Sequence, residues 1–281
     1  MIRPDLHLHT SASDGIYDAD ELARLVQRAG VTLFSITDHD TLAALLRAAQ
    51  AAYDRGLAFI PGVEISTEGD EEIHILGYGV TPDDSALNAL FSRLKQERIN
   101  RVRNMGERLQ ALGMPVPTEE IIESAGASVG RPHLGRAMVE RGYAATVQEA
   151  FDRFLASGKP AYLPRETPTA SQAISLLRQR GAIPVLAHPG HIKKPMAQLL
   201  PLLRAWIEAG LSGIEVYHPA NRGNYSKWLS LAKEHHLLVT GGSDFHDHSP
   251  RHGQIGETAL EWPTALQDGW ALFKRAKKQS V

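Results

Sequence analysis

Short hydrophobic segments rich in branched side chains recur towards both ends of the chain. Their lengths and their polar flanks are typical of buried β-strands. Helical patterns lie between most of them; Asp18, three residues before Glu21, marks the start of one helix, and Gly30 follows its last apolar position. The predicted strands are Pro4 to Leu8, Leu33 to Thr37, Ala58 to Ser66, Glu72 to Val80, Ile183 to Ala187, Gly213 to Tyr217 and Leu237 to Thr240.

The alternation of strand and helix predicts the fold class. Helices that connect strands leave those strands parallel to one another, and about seven strands are enough to close, or nearly close, a β/α barrel. We therefore expect an α/β protein whose mainly parallel sheet forms a barrel. An open, doubly wound sheet is the alternative.

The alternation breaks between residues 85 and 165. Apolar residues at three- and four-residue spacing from Leu87 to Leu112 predict one long helix, and Thr146 with Glu149 marks the start of another. We interpret this segment as a helical insertion. The predicted domains are then a barrel formed by residues 1–84 and 166–281 and a helical cap formed by residues 85–165.

The insertion differs from the barrel in charge. Residues 90–165 carry 12 Lys and Arg against 8 Asp and Glu, a net charge of +4 that leaves −6 for the rest of a chain whose net charge is −2. A positive cap over an acidic barrel suits a substrate that bears phosphate. The alternative is that the extra arginines form a solvated helix face.

The composition of the chain argues against several classes of protein and of metal site. No apolar run reaches the roughly 18 to 20 residues of a membrane helix, and the first residues lack a secretory signal, so we expect a cytoplasmic protein. The chain has no cysteine, so a metal site must use nitrogen and oxygen ligands. A charge near neutrality argues against a uniformly basic nucleic-acid surface.

Histidines and carboxylates gather at the ends of the predicted strands. His7 and His9 stand two residues apart, so both imidazoles lie on the same side of the first strand. The further candidates are Asp14 in the following turn, His39 after the second strand, Glu64 on the third, His74 in the fourth, His188 after the fifth, and Asp244 and His246 after the last.

These residues become neighbours if the barrel forms, because the carboxyl ends of its strands converge on one mouth. Divalent cations supply the charge that makes a pocket of several imidazoles and carboxylates tolerable. Mixed nitrogen and oxygen ligands suit zinc, manganese or ferrous iron better than magnesium or calcium. Nine ligands exceed the needs of one ion and predict two or three ions with a bridging carboxylate. The alternative is a set of ordinary core and surface histidines.

The ordered motifs resemble those of the polymerase and histidinol phosphatase (PHP) family, from the first strand to the last. They are His7-Leu8-His9, Ser13-Asp14-Gly15, Thr37-Asp38-His39-Asp40, Pro61-Gly62-Val63-Glu64, His74, Ala187-His188-Pro189-Gly190 and Gly242-Ser243-Asp244-Phe245-His246. The resemblance implies a distorted seven-stranded β/α barrel with a trinuclear metal site that hydrolyses phosphate esters.

The resemblance also implies how the ligands are shared. One ion would take His7, His9, Glu64 and Asp244; a second Glu64, His74 and His188; a third Asp14, His39 and His246. Manganese is the expected metal, with ferrous iron or zinc as alternatives. Members of the family often have a histidine where Asp14 stands. The carboxylate still supplies a ligand at this position, but it is a harder donor than an imidazole. His7, His9, Glu64, Asp244 and His246 would form the catalytic core.

Within the family, the insertion resembles that of a subgroup acting on nucleoside 3′,5′-bisphosphates or on the 5′ ends of short RNA. The motifs are Gly130-Arg131-Pro132-His133 with Arg136, and Gly158-Lys159-Pro160 before Tyr162. Arginine, lysine and histidine donors can neutralise phosphate charge. The expected substrate-binding residues are therefore Arg131, His133, Arg136 and Lys159, together with His191, where the subgroup often has arginine, and His218 after the sixth predicted strand.

The expected activity is metal-assisted hydrolysis of a phosphate monoester of a nucleotide, without a covalent phosphoenzyme. The expected partners are nucleotides and short RNA ends, with no membrane. One alternative is a phosphatase acting on histidinol phosphate or another small molecule, for which a basic insertion is less useful. Others are a barrel that has lost its metals and serves only in binding, and an exonuclease on long strands, which requires an open groove.

Overall fold

The computed structural model describes residues 2–67, 73–125, 129–249 and 252–258. Two compact units make up the chain. The first comprises Met1–Asn88 with Pro168–Val281, and the second comprises Ala89–Thr167. The first unit therefore contains all of the predicted strands, and the second is helical.

The sheet of the first unit has seven strands in sequential order. The strands are β1 (Pro4–Asp5), β2 (Leu33–Ile36), β3 (Ala58–Ser66), β4 (His74–Tyr78), β5 (Ile183–Leu186), β6 (Gly213–Tyr217) and β7 (Leu238–Gly241). The predicted α/β fold with a distorted, nearly closed seven-stranded barrel is confirmed. Glu72, the predicted start of β4, lies outside the described residues. The buried apolar residues Leu6, Leu33, Leu76 and Val185 belong to one core cluster of this unit.

The barrel closes between its first and last strands. The backbone N–H of Leu6 donates to the carbonyl of Gly241 at 3.1 Å, and Leu8 forms a parallel bridge with Phe245. The carboxylate of Asp5 accepts from the backbone N–H and the hydroxyl of Ser243 at 2.9 and 2.7 Å. The chain on either side of the seam is thereby held in register just where the candidate ligands begin.

Strand β4 runs opposite to the others. It pairs antiparallel with both β3 and β5, whereas β1, β2 and β3 are mutually parallel and so are β5, β6 and β7. The amino end of β4 therefore lies at the barrel end that holds the carboxyl ends of its neighbours. His74 begins this strand, and its pairing with Ser66 at the end of β3 places it at the common mouth.

Helices α1 (Ala19–Arg28), α2 (Leu45–Asp54), α7 (Ala170–Gln179), α8 (Met196–Ala209) and α9 (Tyr225–Glu234) accompany the strands of the first unit. The predicted start of α1 is correct, since the Asp18 side chain accepts from the backbone N–H of Glu21. Thr169 and Gln172 form a reciprocal capping box at α7. Among the described residues, no helix has the combined length and apolar character that a membrane span requires.

The helical segment contains α3 (Ser85–Ala111), α4 (Thr118–Ala125), α5 (Arg131–Glu140) and α6 (Val147–Ala150), which continues into a π-helical turn at Phe151–Leu155. Asp84 caps the long helix α3 by accepting from the N–H groups of Ala86 and Leu87 at 3.0 Å. The second unit has its own hydrophobic core, which includes the fully buried Met105, Leu109, Leu134, Met138 and Leu155. It is therefore an independently packed body.

Gly242 follows β7 at a point of close backbone approach. A Cβ atom at this position would overlap the Cβ and the backbone nitrogen of His7 on the neighbouring strand. A Cβ atom at Gly241 would likewise lie 2.6 Å from the Cβ and 2.7 Å from the carbonyl oxygen of Tyr217. These glycines allow the last strand to pack directly against its two neighbours.

We expect Gly242→Ala to lower the thermal midpoint of unfolding, because the added methyl must displace the first strand. Overpacking of this kind typically costs about 1–3 kcal/mol. Scanning calorimetry of the metal-free protein measures the change without interference from metal binding. A midpoint equal to that of the wild type would contradict the close packing of β7 on β1.

Candidate metal centre

All nine predicted ligands lie in the first unit, and the structure brings them together at one end of the barrel. His7 and His9 follow β1, His39 follows β2, and Glu64 lies near the end of β3. His74 begins the reversed strand β4. The remaining ligands follow β1, β5 and β7: Asp14, His188, Asp244 and His246.

The carboxylate of Glu64 is the centre of this cluster. Its Oε1 lies 2.9 Å from Nδ1 of His74 and 2.9 Å from Nε2 of His188. Its Oε2 lies 3.1 Å from Nε2 of His7, 3.2 Å from Nε2 of His9 and 3.2 Å from Nδ1 of His39. Five imidazoles therefore meet at one fully buried carboxylate.

The candidate ligand atoms form overlapping groups in which all members lie within 4.8 Å of one another. One group matches the set predicted for the first ion, and another adds His9 to the set predicted for the third. The groups are His7, His9, Glu64 and Asp244; His9, Asp14, His39 and His246; His39, Glu64 and His74; and His7, Glu215 and His218. His188 joins the cluster through its contact with Glu64.

The donor atoms of this cluster suit divalent metal ions. Several of its buried atoms make no contact of hydrogen-bond geometry with a described residue, although two of them lie 3.2 Å from Glu64: both ring nitrogens of His9, Nδ1 of His39, Nδ1 of His188, Nε2 of His218 and Oδ1 of Asp244. Buried polar atoms are ordinarily paired, so a group of unpaired nitrogen and oxygen donors around one carboxylate fits cations. The set therefore accommodates divalent metals.

Two residues of the cluster have strained backbone conformations. His188 has φ 23° and Asp244 has φ 56°, in a region that side chains other than glycine seldom adopt. Such strain costs about 1–3 kcal/mol and persists where the surroundings impose it. The N–H of His188 donates to Oε2 of Glu215 at 2.7 Å, and the N–H of Asp244 donates to the carbonyl of His7 at 2.9 Å. These bonds hold both residues in place.

Asp38, next to His39 in the motif, supports the loop after β1. Its two carboxylate oxygens accept from the backbone N–H and the hydroxyl of Thr10, each at 2.6 Å, and Oδ1 also accepts from the hydroxyl of Ser13 at 2.8 Å. That loop carries Asp14, whose Oδ1 lies 3.3 Å from Nε2 of His246. Asp38 therefore positions the loop that carries a candidate ligand, and both of its carboxylate oxygens are engaged by that loop.

Charges within the cluster shift its pKa values strongly. Burial opposes protonation of His7 and His9, but neighbouring carboxylates raise the pKa of His7 well above its ordinary value and that of His9 to about 10. Burial would raise the pKa of Glu64, whereas the imidazoles of His39, His7 and His74 hold it well below its usual range. Burial is the largest influence on His39 and lowers its pKa to about 3. Glu64 therefore stays negatively charged in the pocket, where it can bind cations.

Glu215 is a buried residue of this site that the sequence analysis missed. Its Oε1 lies 3.0 Å from Nδ1 of His7, and its Oε2 accepts from the backbone of His188. The side chain of Asn221 donates to the carbonyls of Glu215 and Val216 and fixes the end of β6. Both carboxylate oxygens of Glu215 are engaged, and this places Glu215 to orient His7, with Nδ1 held by Oε1 of Glu215 and Nε2 directed towards Glu64.

His218 and His191 stand beside the cluster. Nδ1 of His218 accepts from the N–H of Ala220 at 3.0 Å, so in the neutral ring the proton lies on Nε2. That nitrogen is 3.5 Å from Oδ2 of Asp244. The ring of His191 lies 5.1 Å from that of His188 and 5.8 Å from that of His218, measured between ring centres. The structure thus groups these two predicted substrate-binding residues with the ligands.

The other predicted substrate-binding residues belong to the second unit. Arg131 begins α5 and is half-buried, with its guanidinium 5.5 Å from the centre of the Phe151 ring. Burial and the charge of Arg136 lower the pKa of His133 on the same helix. The side chains of Arg136 and Lys159 are exposed. Within this unit, Arg131 and His133 are thus better enclosed than the other two.

Comparisons with known proteins agree on one family. The sequence model of the PHP domain matches residues 5–161. The 5′-3′ exoribonuclease Rnm of Salmonella typhimurium is 37% identical over 88% of this chain and 86% of its own length. The 3′,5′-nucleoside bisphosphate phosphatase of Chromobacterium violaceum is 30% identical over 92% of both chains.

Solved structures show the same fold. A protein of Chromobacterium violaceum described as an amidohydrolase, with bound sulfate and no metal, has a TM-score of 0.81 and 28% identity and covers 98% of this chain and 96% of its own. A candidate metal-dependent phosphoesterase of Bifidobacterium adolescentis has a TM-score of 0.74 and 29% identity, covering 92% of this chain and 94% of its own.

We expect Glu215→Gln to lower metal affinity roughly 10- to 100-fold, as is typical when the partner of a ligating histidine is lost. The amide cannot accept from both His7 and the His188 backbone, so one of them loses its support. Titration of the metal-free protein with Mn²⁺, followed by calorimetry, measures the effect. Glu208→Gln, at an exposed position on α8, is the control. Equal affinity in the two variants would refute the orienting role.

Proposed function

Because this chain belongs to the PHP family and is a phosphoesterase of that family, we propose that it hydrolyses phosphate monoesters of nucleotides. The proposed substrates are nucleoside 3′,5′-bisphosphates, from which the 3′-phosphate is released. The observation that carries the proposal is the meeting of five imidazoles at the carboxylate of Glu64. An intact set of candidate ligands argues against a barrel that has lost its metals and serves only in binding.

The nine candidate ligands would hold two or three divalent ions. Mn²⁺ is the expected metal, and Fe²⁺ and Zn²⁺ are the alternatives. His7, His9, Glu64 and Asp244 would hold one ion. Glu64, His74 and His188 would hold a second, and Asp14, His39 and His246 a third. When bound, such ions lower the pKa of water and neutralise phosphate charge, which is the chemistry that phosphate ester hydrolysis needs.

The protein's own residues fix the geometry of this reaction. Glu64 lies between the first two ligand sets, so its two oxygens set their separation. Glu215 orients His7, and the strained backbones of His188 and Asp244 aim their side chains at the same pocket. Preorganisation of this kind lowers the barrier because the groups need not rearrange as charge develops on the phosphate.

Hydrogen-bond donors around the pocket would bind the phosphate. The N–H of His218 on Nε2 faces the carboxylate of Asp244 and is positioned to donate to a phosphate oxygen or to the leaving oxygen. His191 supplies a further donor beside it. Arg131, His133, Arg136 and Lys159 of the second unit are proposed to neutralise phosphate charge, including that of the phosphate that is not cleaved.

Short RNA with a 5′-phosphate is the second candidate substrate, supported by the 37% identity to an exoribonuclease. The two activities are chemically related, since each attacks a phosphate next to a ribose. The net positive charge of the helical segment favours either nucleotide substrate over a small molecule with one phosphate. Histidinol phosphate is therefore the less favoured substrate.

A substrate panel tests the proposal directly. The Mn²⁺-loaded protein is expected to release phosphate faster from adenosine 3′,5′-bisphosphate than from AMP or histidinol phosphate. A short 5′-phosphorylated RNA, scored for release of mononucleotides, completes the panel. Preference for the bisphosphate or the RNA supports the proposal, whereas preference for histidinol phosphate would contradict it.

We expect Glu64→Gln and Asp244→Asn to abolish turnover, because an amide supplies a weaker ligand where a carboxylate holds the cations. The expected loss of activity exceeds about 1,000-fold, the scale at which several kcal/mol of stabilisation disappear. Steady-state phosphate release and metal content measured on the same samples check this. Glu208→Gln again serves as control. Full activity in either variant would refute the ligand assignment.

A further inference from the structure

His246, a candidate ligand of the third ion, packs against two other imidazoles. Its ring centre lies 4.0 Å from that of His9, with 13° between the planes, and 4.5 Å from that of His252, with 30° between the planes. His9 is itself a candidate ligand. His252 is not, and it lies outside the motifs that carry the family resemblance. The first neighbour of His246 is thus part of the metal centre, and the second belongs to the segment that follows it in the chain.

The backbone beside His246 fixes the position of its ring proton. Nδ1 lies 2.9 Å from the carbonyl oxygen of Asp244, which can only accept, so the neutral ring carries its proton on Nδ1. The lone pair then lies on Nε2, the atom that is 3.3 Å from Oδ1 of Asp14. A metal ion binds this nitrogen in the plane of the ring, so the orientation of the plane matters. The hydrogen bond sets the tautomer, and packing on the ring holds the plane.

His252 is held in place by Asp247. Nδ1 of His252 lies 3.0 Å from Oδ1 of Asp247, which also accepts from the backbone N–H of Ser249 at 2.7 Å. A Cβ atom on the next residue, Gly253, would overlap the carbonyl oxygen of Ser243, so this segment packs directly against the chain that follows β7. Because 32% and 33% of the two side chains are exposed, the ion pair adds little to stability. Its effect is to fix the orientation of the His252 ring.

We propose that His252 is a positioning residue of the metal centre: oriented by Asp247, its ring packs on His246 and holds the plane of that ligand towards the third ion. The inference rests on the proposed function, through the ligand set proposed for that ion. It assigns a role to a residue outside the nine candidate ligands, and every contact that it uses lies within the first unit. Glu215 acts differently, through a hydrogen bond to His7 in the first ligand set.

Metal binding by the full chain tests this role in the absence of substrate. Metal-free protein is titrated with Mn²⁺ in a calorimeter, and His246→Ala identifies the class of sites that depends on the third ligand set. We expect His252→Ala to weaken that class about 10-fold, at the lower end of the range typical when the support of a ligating histidine is lost. The other classes of site are expected to keep wild-type affinity, because their ligands are held by other residues.

His248→Ala is the matched control. His248 lies in the same segment, is exposed, and has its Nε2 3.0 Å from the hydroxyl of Tyr17. Its ring packs on those of Tyr17 and Phe245, which are not candidate ligands. Wild-type metal binding in His248→Ala together with the selective weakening in His252→Ala supports the positioning role. Equal weakening in both variants would show that a general loosening of the segment is responsible, and would overturn the proposal.

A second variant covers the risk that His252→Ala disturbs the fold. His252→Phe keeps a ring against His246 but cannot donate to Asp247, and we expect intermediate metal affinity with an unchanged circular dichroism spectrum. Wild-type affinity in either His252 variant, equal weakening of every class of site, or wild-type metal binding in His246→Ala overturns the proposal. The proposed function fails separately, if metal binding depends on His252 as expected but the Mn²⁺-loaded wild-type enzyme does not hydrolyse the bisphosphate.

Discussion

The site depends on a single buried carboxylate. Glu64 has no contact with solvent, and five imidazoles from four strands aim a nitrogen at its two oxygens. Neutral imidazoles carry one proton each, and a carboxylate surrounded in this way can be satisfied only by protons or by metal cations. The barrel, its closing seam and the strained residues beside it all serve to hold that arrangement, since none of these imidazoles is adjacent to Glu64 in sequence.

Support for the ligands comes from a layer of carboxylates that bind backbone and side-chain donors. Asp5 closes the seam through Ser243, Asp38 fixes the loop after β1, and Glu215 orients His7 and holds the His188 backbone. Burial raises the pKa of Asp5 to about 6 in spite of the donors around it. These three carboxylates thus position the backbone and side chains of the site, whereas the carboxylates that face the pocket are the candidate ligands of the cations.

The sequence was sufficient to predict the strands and the nine candidate ligands, because hydrophobic periodicity and the placement of histidine at strand ends are local signals. The reversal of β4 could not be predicted, since a strand has the same periodicity in both directions. Glu215 was missed because it stands inside an apolar strand rather than after it. A carboxylate two residues before Tyr217 in a buried strand was the available signal.

The seam between the first and last strands also has a consequence for biosynthesis. Asp5 accepts a hydrogen bond from the backbone of Gly256 at 2.8 Å, as well as those from Ser243. The chain must therefore be synthesised at least as far as Gly256 before the seam between β1 and β7 is complete and the pocket around Glu64 can assemble. The helical unit, whose core is drawn from one continuous segment, can fold earlier in translation. The full set of nine candidate ligands, which includes Asp244 and His246, thus comes together only after the last strand has been synthesised.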